Sequence, residues 1–206
     1  MPAKLFVLAG VNGAGKSSLG GAAIQSSGAE FFNPDIAAAR LREQQPNLSA
    51  EQANGLAWTL GRHGVEKALA EGLTYAFETT LGGTSMTQLL LDGARGGAQV
   101  HVWYAGLATP ELHLRRIQAR VAAGGHDIPE AKVRERFDAS RSNLVKLMPH
   151  LASLRLYDNS FEADPRAGRR PQPLLLLQMQ AGRAVAHAPL RSVPAWAKPL
   201  LAVALR

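Results

Sequence analysis

The stretch Lys4–Gly20, KLFVLAGVNGAGKSSLG, constrains the fold more than any other part of this 206-residue chain. Leu5 to Ala9 is a short apolar run with β-formers at Phe6 and Val7, suited to a strand buried on both faces of a parallel sheet. It leads directly into Gly10-Val11-Asn12-Gly13-Ala14-Gly15-Lys16-Ser17, a complete match to the phosphate-binding loop G-x-x-x-x-G-K-[ST]. The glycines permit backbone angles at which successive N–H groups converge on phosphate oxygens. Lys16 adds a point charge for the β- and γ-phosphates, and the Ser17 hydroxyl can ligate Mg²⁺. A helix over roughly 16–25 would aim its positive end at the same anions. The strand before and the helix after are the context this motif requires. The reading is binding of a nucleoside triphosphate, with Gly10, Asn12, Gly13, Ala14, Gly15, Lys16, Ser17 and Ser18 around it and Ser17 on the metal.

Composition narrows the class. With 46% hydrophobic and 19% charged residues the chain reads as one globular domain, 1–206. It has no cysteine, so neither a disulfide framework nor a thiolate zinc site is available. The first strand begins within a few residues of Met1, which leaves no room for a secretory signal, and the longest apolar runs, 174–177 and 200–205, cannot cross a bilayer. A cytoplasmic protein without membrane association is expected. The net charge of +7 invites a nucleic-acid reading. Against it, the arginines spread along the chain, aromatics are only 6%, and no RNA-binding aromatic motif occurs.

After the loop, residues 29–32 suit a second strand, and Asn33-Pro34-Asp35 opens a helix over about 36–44. Asp35 has two readings here: an acid placed for the helix dipole, or a carboxylate at the ligand-binding sheet edge that accepts a proton. Ser49 to Gln52 starts a long helix with capping-box chemistry, ended by Gly72. A third strand, 73–77, delivers Glu78, Thr79, Thr80, Leu81, Gly82 and Gly83 to the same edge as a substrate-facing loop. Alternatively, Thr79 and Thr80 merely cap the next helix, 84–95.

Residues 99–107 form a fourth strand, and Thr109-Pro110-Glu111 opens a helix to about 123. Gly124-Gly125-His126 breaks it before a second helix over 129–147. Arg116, Arg120, Arg134, Arg136 and Arg141 load this pair, as a phosphotransferase lid over about 109–147 requires. The plainer alternative is a solvated basic pair with ion pairs such as Glu130 with Arg134. A fifth strand, 154–157, ends at Asp158-Asn159-Ser160, a position that lines the nucleotide base in related folds. Residues 162–173 read as a linker, 174–178 and 183–187 as an edge hairpin, and the proline-bearing tail as mostly irregular. The predicted class is α/β: a kinase-type three-layer P-loop fold with a five-stranded, mainly parallel sheet, an arginine-rich helical lid and a C-terminal extension over about 161–206.

Five segments, AGVNGAGKSS at 9–18, FFNPDIAAARL at 31–41, FETTLGG at 77–83, RRIQARVAAGGHDIPEAKVRERFDAS at 115–140 and LYDNS at 156–160, together resemble the zeta-toxin-like P-loop kinases, in particular a short bacterial group of predicted ABC-type ATPases or kinases. The resemblance covers about residues 4–160. It implies an ATP- and Mg²⁺-dependent kinase with Lys16 on the phosphates and Asp35 as the base for the acceptor hydroxyl. It implies lid arginines at Arg120 and Arg136, with Arg116 and Arg134 as close substitutes on the nucleotide. Arg40, Glu78, Thr79 and Thr80 fall with Asp35 on the acceptor side. Zeta toxins phosphorylate UDP-N-acetylglucosamine, which implies a nucleotide-sugar acceptor and an antitoxin protein as partner. This chain is shorter, and its NPD and FETTLGG segments are variants of the acceptor motifs. A nucleoside-like metabolite, an antibiotic hydroxyl and a polynucleotide end remain alternative acceptors. An ATPase switch would need an LSGGQ-like signature or an apolar run ending in Asp-Glu, and the sequence has neither.

Overall fold

The computed structural model describes residues 1–16, 19, 31–125, 127–161 and 172–206. Its centre is one sheet in the order β2-β3-β1-β4-β5-β6-β7. The strands are β1 (Lys4–Ala9), β2 (Phe31–Phe32), β3 (Thr74–Thr79), β4 (Gln99–Gly106), β5 (Ser153–Asp158), β6 (Leu174–Gln180) and β7 (Arg183–His187). The first five are parallel, and the hairpin β6-β7 adds antiparallel to β5, extending the same sheet. The fold is the expected P-loop kinase-like α/β arrangement. The helices are α1 (Pro34–Gln44), α2 (Ala50–Glu71), α3 (Thr84–Arg95), α4 (Pro110–Ala122), α5 (Glu130–Leu147) and α6 (Lys198–Ala204).

Local chemistry explains most boundaries. Asn33 caps α1, its side-chain oxygen accepting from the amides of Asp35 and Ile36, with Pro34 in the first turn. Ser49 and Gln52 form both halves of the capping box on α2, and Gly72 ends that helix in the left-handed conformation. Strand β3 continues to Thr79 because β1 holds it in register, Leu8 opposite Glu78 and Ala9 opposite Thr79. Glu78 is therefore held on a strand rather than in a loop. The capping alternative for the two threonines fails. Their hydroxyls accept from Leu81 and Gly82 within a tight turn, and α3 has Gly83 as its N-cap, with no side-chain cap.

One face of the sheet carries Leu5, Val7, Val102, Tyr104, Leu154 and Leu156 against α3, α5 and α6, through Leu90, Leu144, Leu147 and Leu200. Leu8, Ala76 and Trp103 face the other way, with Leu19 packed against them. The expectation of an irregular tail is corrected. Leu190–Ser192 and Ala195–Ala197 are single 3₁₀ turns, and α6 follows. Its prolines are harmless because Pro194 precedes the turn and Pro199 occupies the first turn of α6, where a missing N–H costs no hydrogen bond. No described helix is long and apolar enough to cross a membrane. The rest of the helix expected at 16–25, the loop at 26–28, the start of strand two, His126, and 162–171 of the linker lie outside the described residues.

Candidate active site

The loop after β1 is threaded between the ends of β4, α4 and β5. Gly10 has φ +138°, and a Cβ there would sit 2.2 Å from the Ala105 carbonyl oxygen. Gly15 has φ +77°, and its Cβ would sit 2.4 Å from the Asn159 side-chain nitrogen. Both positions exclude a side chain by backbone angle and by space. Asn159 secures the loop by donating from Nδ2 to the Ala14 carbonyl at 2.8 Å, while its own carbonyl accepts from Arg116 Nη2 at 2.9 Å. Buried His113 of α4 donates from Nδ1 to the Asn12 carbonyl at 2.8 Å. Burial, with Lys16, Arg116 and Arg141 adding repulsion against the backbone hydrogen bond, pushes the His113 pKa down to about 4, so the imidazole is neutral at pH 7.

Lys16 is 6% exposed, with Nζ donating to the carbonyls of Gly10 at 2.7 Å and Val11 at 3.4 Å and lying 3.3 Å from Glu78 Oε1. The other Glu78 oxygen accepts from Asn33 Nδ2 at 3.1 Å. Asp35, half-exposed in the first turn of α1, lies 3.6 Å from Arg120 Nη1. Arg136 donates to Asn12 Oδ1 at 2.8 Å, and its stem lies over Gly82. Burial lowers the Arg136 pKa, against the opposing pull of Glu135 and Asp35. One sheet edge thus gathers Gly10, Asn12, Gly13, Ala14, Gly15, Lys16, Asp35, Glu78, Arg116, Arg120 and Arg136.

Other predicted site residues fall elsewhere. Arg134 is not brought to the loop: it pairs with Glu111 at 2.7 Å and Glu130 at 2.8 Å on the exposed surface, as the plainer ion-pair reading had it. That pairing raises its pKa and lowers that of Glu111. Arg40 is exposed on α1, more than a turn beyond Asp35. The Thr79 and Thr80 hydroxyls are engaged in their own turn. Ser17, the predicted metal ligand, and Ser18 lie outside the described residues.

Sequence reasoning missed the polar contacts that hold α5 on this edge. Ser140 donates to the Thr80 carbonyl at 2.6 Å and shares a hydrogen bond with Tyr104, whose pKa burial pushes up to about 12. Asn143 donates to the carbonyls of Leu81 at 2.8 Å and Gly83 at 3.3 Å. These partners lie on separate elements, and the only hint in the sequence is a Ser and an Asn on the apolar side of a helix.

A protein-family model described as an AAA domain, AAA_33, matches residues 5–147. An uncharacterized protein of Haemophilus influenzae is 32% identical over 137 residues, 66% of this chain and 94% of the relative. Among solved structures, a chain from the AvrRxo1-ORF1:-ORF2 complex with ATP superposes with a TM-score of 0.64 at 17% identity, over 98% of this chain and 64% of that one. This chain therefore spans less than two thirds of that protein's length. A Chloroflexus aurantiacus protein described as a candidate kinase gives 0.56 at 18% identity, over 81% of this chain and 94% of its own. A chain from the PezAT chromosomal toxin-antitoxin system of Streptococcus pneumoniae gives 0.52 at 16%, over 83% and 75%. With the phosphate-binding loop, the sheet order and the family match in agreement, the chain belongs to the AAA_33 family of AAA domains and carries a P-loop kinase-like fold.

Proposed function

We propose that this protein is a zeta-toxin-like kinase that transfers the γ-phosphoryl of ATP to a hydroxyl of a small molecule, with a nucleotide sugar such as UDP-N-acetylglucosamine as the first acceptor to test. The observation that carries this reading is that two carboxylates on separate elements stand at the sheet edge that holds the buried Lys16: Glu78, 3.3 Å from its Nζ, and Asp35, 3.6 Å from Arg120. A hydroxyl acceptor needs one of them to take its proton.

In this reading Gly10 to Lys16 surround the phosphates of ATP, and Arg116, tied to Asn159, lies on the nucleotide side. Ser17 would hold Mg²⁺, which would supply charge neutralisation of the phosphates when bound. The left-handed glycines Gly13 and Gly15 and the buried Lys16 fit such an anion. Asp35 accepts the proton as the acceptor oxygen bonds to the γ-phosphorus. The bond from that phosphorus to the bridging oxygen breaks, and ADP leaves. Arg120 and Arg136, on the α4–α5 lid, stabilise the charge spread over the transferred group; such an arginine contributes about 10³–10⁵ in rate. Glu78 belongs to the acceptor side, whereas Arg40 and the turn-engaged hydroxyls of Thr79 and Thr80 are assigned no contact with the acceptor. A protein partner of the antitoxin kind is part of the proposal, supported by the PezAT toxin-antitoxin system and the AvrRxo1-ORF1:-ORF2 complex among the similar structures.

The test is ADP release by purified protein with Mg²⁺-ATP, with and without UDP-N-acetylglucosamine, beside Asp35→Ala. Acceptor-dependent turnover with a phosphorylated sugar nucleotide, both lost in the variant, supports the reading. ATP binding without acceptor-dependent turnover discards this acceptor and moves the search to nucleosides, antibiotics and polynucleotide ends.

A further inference from the structure

Asn33 has a complete local explanation as the cap of α1, yet only its oxygen is used there. Oδ1 accepts from the amides of Asp35 at 2.9 Å and Ile36 at 3.2 Å. The other half of the side chain points at a different element: Nδ2 donates to Glu78 Oε2 at 3.1 Å, on the end of β3. The remaining Glu78 oxygen faces Lys16 Nζ at 3.3 Å. A single planar amide therefore spans the helix that carries Asp35 and the strand that carries the partner of the phosphate lysine. Glu78 is mostly buried, so the direction of its carboxylate is set by these two donors more than by water.

We propose that Asn33 is a positioning residue that fixes Asp35 relative to Glu78 and Lys16, so that acceptor and phosphate sides of the site share one rigid reference. The inference rests on the kinase reading above for its effect on rate, but not for the bridge itself. The geometry explains why an amide is needed. Serine, threonine and aspartate cap helices as well as asparagine does. Neither hydroxyl reaches both partners, and a carboxylate at 33 would oppose that of Glu78. Loss of about 1 Å in placement costs about 10²-fold in such reactions.

Three variants separate the two halves of the side chain. Asn33→Ala removes both and is expected to lower Tm by about 2–4 °C along with activity. Asn33→Ser and Asn33→Asp keep the cap. Asn33→Ser is expected to hold Tm near wild type while kcat falls about 10- to 100-fold, with KM for ATP changed far less; Asn33→Asp, whose carboxylate opposes Glu78, is expected to lose more kcat and some Tm as well. In ¹⁵N-labelled protein the Asn33 side-chain amide is expected to exchange slowly with solvent and to shift in Glu78→Gln. Asn33→Ser and Asn33→Asp enzymes with wild-type kcat overturn the proposal, as does an Asn33 amide indifferent to Glu78→Gln. If the wild-type protein turns over no acceptor, the kinase reading fails by itself and the amide signal alone decides the bridge.

Discussion

The indole N–H of Trp196 donates to the carboxylate of Asp158 at 3.3 Å, and both groups are buried, 4% exposed each. This contact closes the C-terminal segment onto the end of β5. The same carboxylate accepts from the Ser160 amide and hydroxyl, so it organises the loop beside Asn159, which holds the phosphate-binding loop. The ring lies against Gly106, where a Cβ would come within 2.2 Å of it. Trp196→Ala should cost about 3–5 kcal/mol of unfolding free energy, since it empties a large core volume and removes a donor from a buried acid. Gly106→Ala should cost about 1–3 kcal/mol by overpacking. Urea denaturation measures both; a change below 1 kcal/mol in Trp196→Ala would mean that the tail does not contribute to the core.

Acid sensitivity should trace in part to His113. Its folded pKa, about 4, lies below the ordinary value of 6.5, so between these pH values the unfolded chain binds a proton that the folded one does not. Stability contributed by the neutral imidazole is fully present above pH 6.5 and declines as pH falls toward 4, by about 3 kcal/mol in all. His113→Gln, which can still donate to the Asn12 carbonyl, should lack that component. Unfolding midpoints at pH 7 and pH 4.5 for both proteins give the difference, and parallel pH dependences would refute the assignment.

The arginines of α5 should divide sharply. Arg136 reaches Asn12 in the loop, so Arg136→Ala should lower kcat about 10³-fold, with Arg136→Lys recovering little because a point charge cannot reproduce the planar fork. Arg134 sits in exposed pairs with Glu111 and Glu130, so Arg134→Ala should leave turnover and Tm near wild type. Steady-state kinetics on the two variants check this. Equal losses would place both arginines on the substrate.

Glu78→Gln should reveal the resting partner of Lys16. With the carboxylate replaced by an amide, the ammonium keeps the Gly10 and Val11 carbonyls and a neutral acceptor at most, and the free protein should lose about 1.5–3 kcal/mol of stability. Bound ATP would supply the missing negative charge, so its stabilising effect on Tm should be larger in the variant than in wild type. Differential scanning fluorimetry with and without Mg²⁺-ATP measures it; identical shifts would show that Glu78 does not neutralise the lysine.

Much of the scaffold was legible because it is written in local chemistry. The loop glycines, the Asn33 and Thr109 caps, the Ser49–Gln52 box and the left-handed Gly72 each act within a few residues of themselves. Apolar or β-rich runs of four to nine residues between such signals marked the parallel strands. The tail was misread for the same reason. Its prolines were visible, whereas the Asp158, Gly106 and Tyr104 surfaces that receive Trp196 come from elsewhere in the chain.

The sequence by itself determined that a phosphate-binding loop follows a buried strand, that acids and hydroxyls stand at the ends of strands two and three, and that arginines crowd the helices after strand four. Tertiary structure alone decided which of these meet. The β1–β3 register brings Glu78 to Lys16, the cap of α1 brings Asp35 to Arg120, and the packing of α5 sends Arg136 to Asn12 while leaving Arg134 in solvent. Helical spacing sets which residues share a face, but not what that face touches. That depends on the crossing of elements distant in sequence, whose geometry is set by the whole core.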